Sequence, residues 1–296
     1  MKSVLGIAGL VVSATLASCG VATTSSSSSK STTSSNTSKS DRVFPISAGA
    51  TSTGAPGLNG LMWVLAGNAA SKGIFELSVS SGATLESQSV SNSAVALAQS
   101  PTGVIGLGIA NGGGGAIEFR SGLTGGLLNT VALSGPAIAI AVGNDGKTFY
   151  ALTQVGAARS VSVVAQNLNK VIATIPVSSS AVSIVPTPSQ QDVYVLEAGG
   201  FVDEVAISNG QVDGYFPVGH SGYSIAISGD GNVLYVLKGQ DPTRNIALVN
   251  AATESVRKVI SAAANSVAIQ LSPLGNVIYD LVSSPSYGNV QAIQLA

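Results

Sequence analysis

Cysteine, histidine and charge are nearly absent from this chain of 296 residues. It holds one cysteine, Cys19, and one histidine, His220. An intrachain disulfide, a cysteine-based metal site and a multi-histidine metal site are therefore excluded. Charged residues make up 9% and balance to −1, which leaves no basic stripe for nucleic acid. With so little charge, the solvated surface must be built from Ser, Thr, Asn, Gln and Gly, a composition suited to secretion. The mean hydropathy of +0.42 would fit a membrane protein. Beyond the leader, however, no run of 18 apolar residues is free of Gly, Pro or polar breaks. The hydrophobicity is spread over short strands.

What is present begins with an address. Lys2 gives a short positive start, and an apolar segment follows from Val4 to Leu16. Residues 1–18 read as a secretory leader. It ends in Leu16-Ala17-Ser18-Cys19, which resembles the bacterial lipobox. That resemblance implies that Cys19 is joined to diacylglycerol and becomes the mature N-terminus, so the membrane is a partner through the lipid. Gly20 follows where an Asp would resemble an inner-membrane retention signal. The expected location is outside the cytoplasm: the outer membrane or periplasm in a Gram-negative host, otherwise the outer face of the cell membrane. From 22 to 41 the chain is almost entirely Ser and Thr, with nothing to form a core. Residues 19–41 therefore read as a lipidated cysteine and a disordered tether, about 25 Å in mean span.

From Arg42 to the end the chain repeats. Asn59-Gly60, Thr102-Gly103, Asp145-Gly146, Ser189-Gln190, Asp230-Gly231 and Leu274-Gly275 each precede an apolar strand, and their second positions lie 43, 43, 44, 41 and 44 residues apart. Four positions further on stand Val64, Leu107, Tyr150, Tyr194, Tyr235 and Tyr279. Glycine suits a hairpin turn that needs positive φ. Gln190 breaks that pattern and predicts a longer or different turn. Each copy contains four strand-like pieces, as in VSIV (182–185), VYVL (193–196), VDEVAI (202–207) and DGYFPV (213–218). Four strands per copy, six times, predict an all-β propeller over residues 42–296, with seven blades as the alternative count. A right-handed β-helix is the runner-up.

The last copy, from Val277, has only two strands, so the missing pair is expected from the N-terminus. Arg42-Val43-Phe44-Pro45-Ile46 resembles Ala173–Val177 and Gly214–Val218, with a proline suited to an edge strand. Residues 47–57 match the other inner strands poorly, which predicts an irregular blade. Trp63 and the four repeat tyrosines predict packing between blades. Units such as DVYVL…VDEVAISNGQVDGYFPVGHSGYSIAISGDGNVLYVL resemble the YVTN or surface-layer type of propeller repeat, a pattern similar to that of lactonase-type propellers. The resemblance covers roughly residues 42–296.

Candidate chemistry lies in the loops between second and third strands and in the joins between blades. Arg159, Glu197, His220, Tyr223, Asp241 and Arg244 are the candidate ligand-binding residues. His220-Ser221-Gly222 lacks the G-x-S-x-G pattern of a nucleophile elbow. Gly112–Gly115 lacks the Gly-Lys-Ser/Thr ending of a phosphate loop. Asp145 and Asp230 are isolated acids in turns, short of a calcium oxygen cluster. Asp203 and Glu204 are adjacent and point to opposite faces of a strand. No catalytic set, cofactor or metal is predicted. The expectation is a lipid-anchored, non-catalytic binding or interaction module whose partner is an envelope protein, a small molecule or a glycan. Two rivals are a lactonase-like hydrolase and an accessory subunit of an envelope assembly complex.

Overall fold

The computed structural model describes residues 42–57, 59–240, 243–284 and 286–295. Cys19, the leader, the tether and Asp241 lie outside the described residues. Strand β1 spans Arg42–Ile46. The first blade holds β2 (Ser52–Thr53), β3 (Leu61–Gly67), β4 (Lys72–Ser78) and β5 (Thr84–Val90). The second holds β6 (Ala94–Gln99), β7 (Val104–Asn111), β8 (Gly114–Ser121) and β9 (Leu127–Leu133). The third holds β10 (Ala137–Val142), β11 (Thr148–Val155), β12 (Ala158–Ala165) and β13 (Lys170–Val177). The fourth holds β14 (Ala181–Pro186), β15 (Asp192–Glu197), β16 (Phe201–Ala206) and β17 (Val212–Pro217). The fifth holds β18 (Gly222–Ile227), β19 (Val233–Gln240), β20 (Thr243–Asn250) and β21 (Ser255–Ser261). The sixth holds β22 (Ser266–Leu271), β23 (Val277–Ser283) and β24 (Gly288–Gln294), with β1 as its outer strand. All pairings are antiparallel, so this is a six-bladed propeller.

The N-terminus thus closes the ring with one strand, not two. Phe44 pairs with Val290, and Pro45 sits opposite Asn289. The sixth blade takes its inner strand, β22, from its own upstream sequence. Residues 47–57 instead supply the inner strand of the first blade. That strand has only two ladder residues, yet its hydrogen bonds continue through Thr51 N to Leu65 O and Gly54 N to Trp63 O, both 2.9 Å. Pro45, Pro176 and Pro217 all lie on outer edge strands, where a missing N–H costs no ladder bond.

The core lies in the seams between neighbouring blades. Tyr150, Tyr194, Tyr235 and Tyr279 each pack toward the next blade around the ring. Strand register places Trp63 and Gly106 at the matching positions in the first two blades, one residue earlier than turn counting predicts. Trp63 is fully buried and donates its Nε1–H to Gly122 O at 3.0 Å, tying the first blade to the second. Gly106 has no side chain to fill its seam. Phe149 of the third blade fills it, because a Cβ on Gly106 would lie 2.8 Å from the Phe149 ring. Phe119 meets that ring edge-on at 5.0 Å.

The turn at Gln190 departs from expectation. Gln190 adopts φ 57° and donates its N–H to Thr187 O at 2.9 Å. Gly146, Gly231 and Gly275 make the same bond at the same place, four residues after their inner strands end, with φ between 66° and 77°. It is therefore the same turn, with a non-glycine residue held in the left-handed region. The Gln190 amide lies where it can accept a hydrogen bond from Tyr150 Oη at 3.3 Å, a contact between blades that a glycine would lack.

The inner strands are stitched across blades. An inner strand has a free edge, so its N–H groups need partners from elsewhere. Leu97 N–H donates to Ser52 Oγ at 2.9 Å, Ile225 N–H to Ser183 Oγ at 3.3 Å and Ile269 N–H to Ser224 Oγ at 3.2 Å. The matching positions in the other three blades are Ala96, Ala139 and Ala268. Ser224→Ala is expected to lower stability by about 1 kcal/mol. A urea melt that places the variant level with the parent would remove the stitch from the account.

Candidate functional site

The ring encloses a central channel of about 480 Å³, walled by the inner strands of all six blades. No charged side chain lines it among the described residues. In five blades the inner strand carries a bulge after its first residue. The bulged residues are Val95, Ile138, Val182, Tyr223 and Val267, and all five line the channel. Tyr223 is thus the one aromatic in an otherwise aliphatic set. Arg244, from β20, stacks on it with Cζ 3.9 Å from the ring centroid. Of the sequence-predicted residues among the described ones, only Tyr223 lines the channel.

The upper rim, formed by the hairpins between second and third strands and by the joins between blades, holds the other described ones. Arg159 lies on the face of β12 that packs on the fourth blade, and its Nη1 donates to Ala181 O. Lys72 Nζ reaches Ala94 O, and Lys238 Nζ reaches Val218 O, each at 2.5 Å. Burial holds both lysines below their ordinary pKa. Each cation therefore caps a backbone carbonyl where one blade passes to the next. Glu197, at the end of β15, accepts a hydrogen bond from Ser180 Oγ at 2.7 Å. Ser180 directly precedes Ala181, so Arg159 and Glu197 meet at the same join.

Glu197 has a second partner that sequence reasoning missed. Register places Asp203 opposite Val195, two residues before Glu197 and on the same face of the sheet. The two carboxyl groups share a hydrogen bond. Burial, then the Glu197 charge and that hydrogen bond, push the Asp203 carboxyl up to about 6. Asp203 also lies opposite Tyr215. Phe201 and Tyr215 stack on that face with centroids 5.0 Å apart and planes within 5°. Tyr215 is 56% exposed, so the pair offers an open aromatic face beside the carboxyls. Glu197 and Asp203 stand on either side of a hairpin; only the strand pairing reveals their contact.

His220 sits at the join between the fourth and fifth blades, exposed and with φ 60°. Its carbonyl presses on Gly200, where an added Cβ would lie 1.7 Å from His220 O. Gly200 itself has φ 80° and carries the Val218 N–H bond at 2.9 Å. Gly200→Ala combines a forbidden φ with a collision, and is expected to cost about 2–4 kcal/mol. An alanine variant that melts with the parent would contradict this packing. The structure therefore gathers Arg159, Glu197 and His220 along the rim of the third and fourth blades. Arg244 and Tyr223 form a second group, on the seam between the fifth and sixth.

No protein family model matches the chain, and no curated protein matches it. Many solved structures are similar, and two of them illustrate the likeness. One is the hydrazine synthase of Kuenenia stuttgartiensis, at 14% identity and a TM-score of 0.58, with 83% of this chain and 84% of that one covered. The other is the β-propeller domain of Cps50 (Swd1) from Myceliophteria thermophila, at 10% identity and a TM-score of 0.61, with 86% of this chain and all of that one covered. At such identities the likeness concerns architecture alone: this chain is a six-bladed β-propeller, a fold commonly used as a binding scaffold.

Proposed function

We propose that the protein is a lipid-anchored interaction module of the YVTN or surface-layer type. Its binding face is the upper rim over the third to fifth blades, and its partner is an envelope protein presenting a cationic segment. The observation that carries this reading is the Glu197–Asp203 carboxyl pair beside the open Phe201–Tyr215 stack. Carboxylates attract a Lys or Arg head group, and a flat aromatic face holds its stem or its guanidinium plane. A cation arriving at Glu197 favours loss of the shared proton, so binding tightens as pH rises from 5 to 7. His220 borders this face on the side of the fifth blade. A lactonase-like reaction would call for Arg159, Glu197, His220 and Arg244 to converge on the channel, but Arg159 and Glu197 stand at the join before the fourth blade, His220 at the join after it and Arg244 on the seam between the fifth and sixth, and none of them lines the channel.

The anchor and the binding face have separate tests. Cys19→Ala is expected to release the chain from membranes; retention after a salt wash would refute lipidation. Gentle detergent extraction of the full chain is expected to bring down a stable partner, lost with Glu197→Gln and Tyr215→Ala together. A chain that always emerges alone and monomeric would overturn the proposal.

A further inference from the structure

Fourteen large apolar side chains are exposed among the described residues, and their placement is uneven. Ten lie on the lower rim, at the turns between first and second or third and fourth strands or in the first residues of outer strands. The register isolates one repeated position. Each outer strand of the first five blades bulges near its start, and the bulged residues are Leu85, Leu128, Ile172, Asp213 and Arg257. The first three are apolar and more than half exposed; the last two are charged. Leu274 is 85% exposed where the other copies carry Asn59, Thr102, Asp145, Ser189 and Asp230. Leu123, at the lower tip of the second blade, is 80% exposed. On the opposite half, burial and then the neighbouring acids hold Asp192 and Glu204 of the fourth blade above the usual carboxylate range, Asp213 acting on both and Glu254 on Glu204.

We infer that the apolar arc, from the sixth blade through the first and second to the third, is a lipid-docking surface that seats the ring on the bilayer. This rests on the lipid-anchor reading above. Arg42, the first described residue, stands at the lower end of β1 in the sixth blade, on this rim and within this arc. The exposed leucines project from turns at Leu123, Leu168 and Leu274 and from the starts of outer strands at Leu85, Leu127 and Leu128. A deformable apolar phase receives such side chains, whereas a rigid protein partner would need a matching pocket for each. The acidic half of the rim is repelled by an anionic membrane surface and tilts away from it. Docked in this way, the ring turns its upper rim outward.

The full, anchored chain tests this with a bimane label placed by Leu274→Cys or Leu128→Cys on the lower rim, or by Tyr287→Cys or Val155→Cys on the upper, in vesicles of phosphatidylethanolamine and phosphatidylglycerol. Brominated acyl chains are expected to quench the lower-rim labels at least threefold and the upper-rim labels not at all. Equal quenching on both rims, or none on the lower, overturns the inference. If the parent chain instead reacts with bimane at Cys19 and washes off, the anchor reading has failed, and vesicle sedimentation of Cys19→Ala decides the rim alone. A further loss of at least tenfold in partition on adding Leu123→Ser, Leu128→Ser and Leu274→Ser supports the docking surface. No partition, or no loss, overturns it.

Discussion

Deleting residues 42–47 is expected to cost more stability than any single substitution in the ring. Those residues form β1, and β1 supplies the only link that makes the sixth blade four-stranded. Phe44 is 5% exposed and packs in the seam between the sixth and first blades with Met62, Val64 and Tyr279. It also fills the space above Gly82, where a Cβ would stand 2.5 Å from the ring. Truncating such a phenylalanine costs about 3–5 kcal/mol, so Phe44→Ala alone is a severe change. The deletion additionally strips β24 of its outer partner and leaves an open edge, which invites aggregation. Thermal melts should place the deletion lowest, Phe44→Ala between, and the parent highest. A deletion with an unchanged melting temperature would mean the ring does not depend on this strand.

The second large effect is a dependence on pH. Asp280 is fully buried on the seam between the fifth and sixth blades. It accepts hydrogen bonds from Ser266 Oγ at 2.7 Å and Ala263 N at 3.2 Å. Its other oxygen has no partner among the described residues. Burial outweighs the two hydrogen bonds and pushes the carboxyl up to about 6. An acid whose folded pKa is raised holds its proton more tightly folded than unfolded. Stability linked to Asp280 is therefore greatest near pH 4 and falls as pH rises to about 6. A shift of about two units corresponds to roughly 3 kcal/mol. Asp280→Asn keeps an acceptor for Ser266 and Ala263 and carries no charge. It is expected to match the parent near pH 4 and to exceed it at pH 8. Asp203 contributes a slope of the same sign, so the variant keeps part of the fall. An Asp280→Asn chain less stable than the parent at pH 8 would contradict this reading.

The sequence made the ring legible because its signals are local. A turn glycine, an alternating strand and an edge proline each act within a few residues, and their recurrence counts the blades. The closing strand was visible in Pro45 for the same reason. Misreadings arose where tertiary contact overrides a local rule. Gln190 adopts a glycine's backbone conformation where its amide can bond Tyr150 of the preceding blade. Residues 47–57 build an inner strand despite poor alternation, because the neighbouring ladder and the Ser52 stitch hold them. The Glu197–Asp203 contact depends on strand register, and adjacency in sequence pointed instead to Asp203 and Glu204. Tyr223 and the outer-strand leucines gain meaning only once bulges align them with their counterparts in other blades.

The account gives the ring two functional sides, one seated on lipid and one turned to a partner. The direct test of the binding face is photo-crosslinking in intact cells, with a benzophenone side chain placed in turn at Tyr215 and His220, and at Leu274 and Leu123. A discrete protein adduct is expected from the first two positions, lost when Glu197→Gln is added, and none from the last two. Adducts only from Leu274 and Leu123, or none from any position, would contradict it.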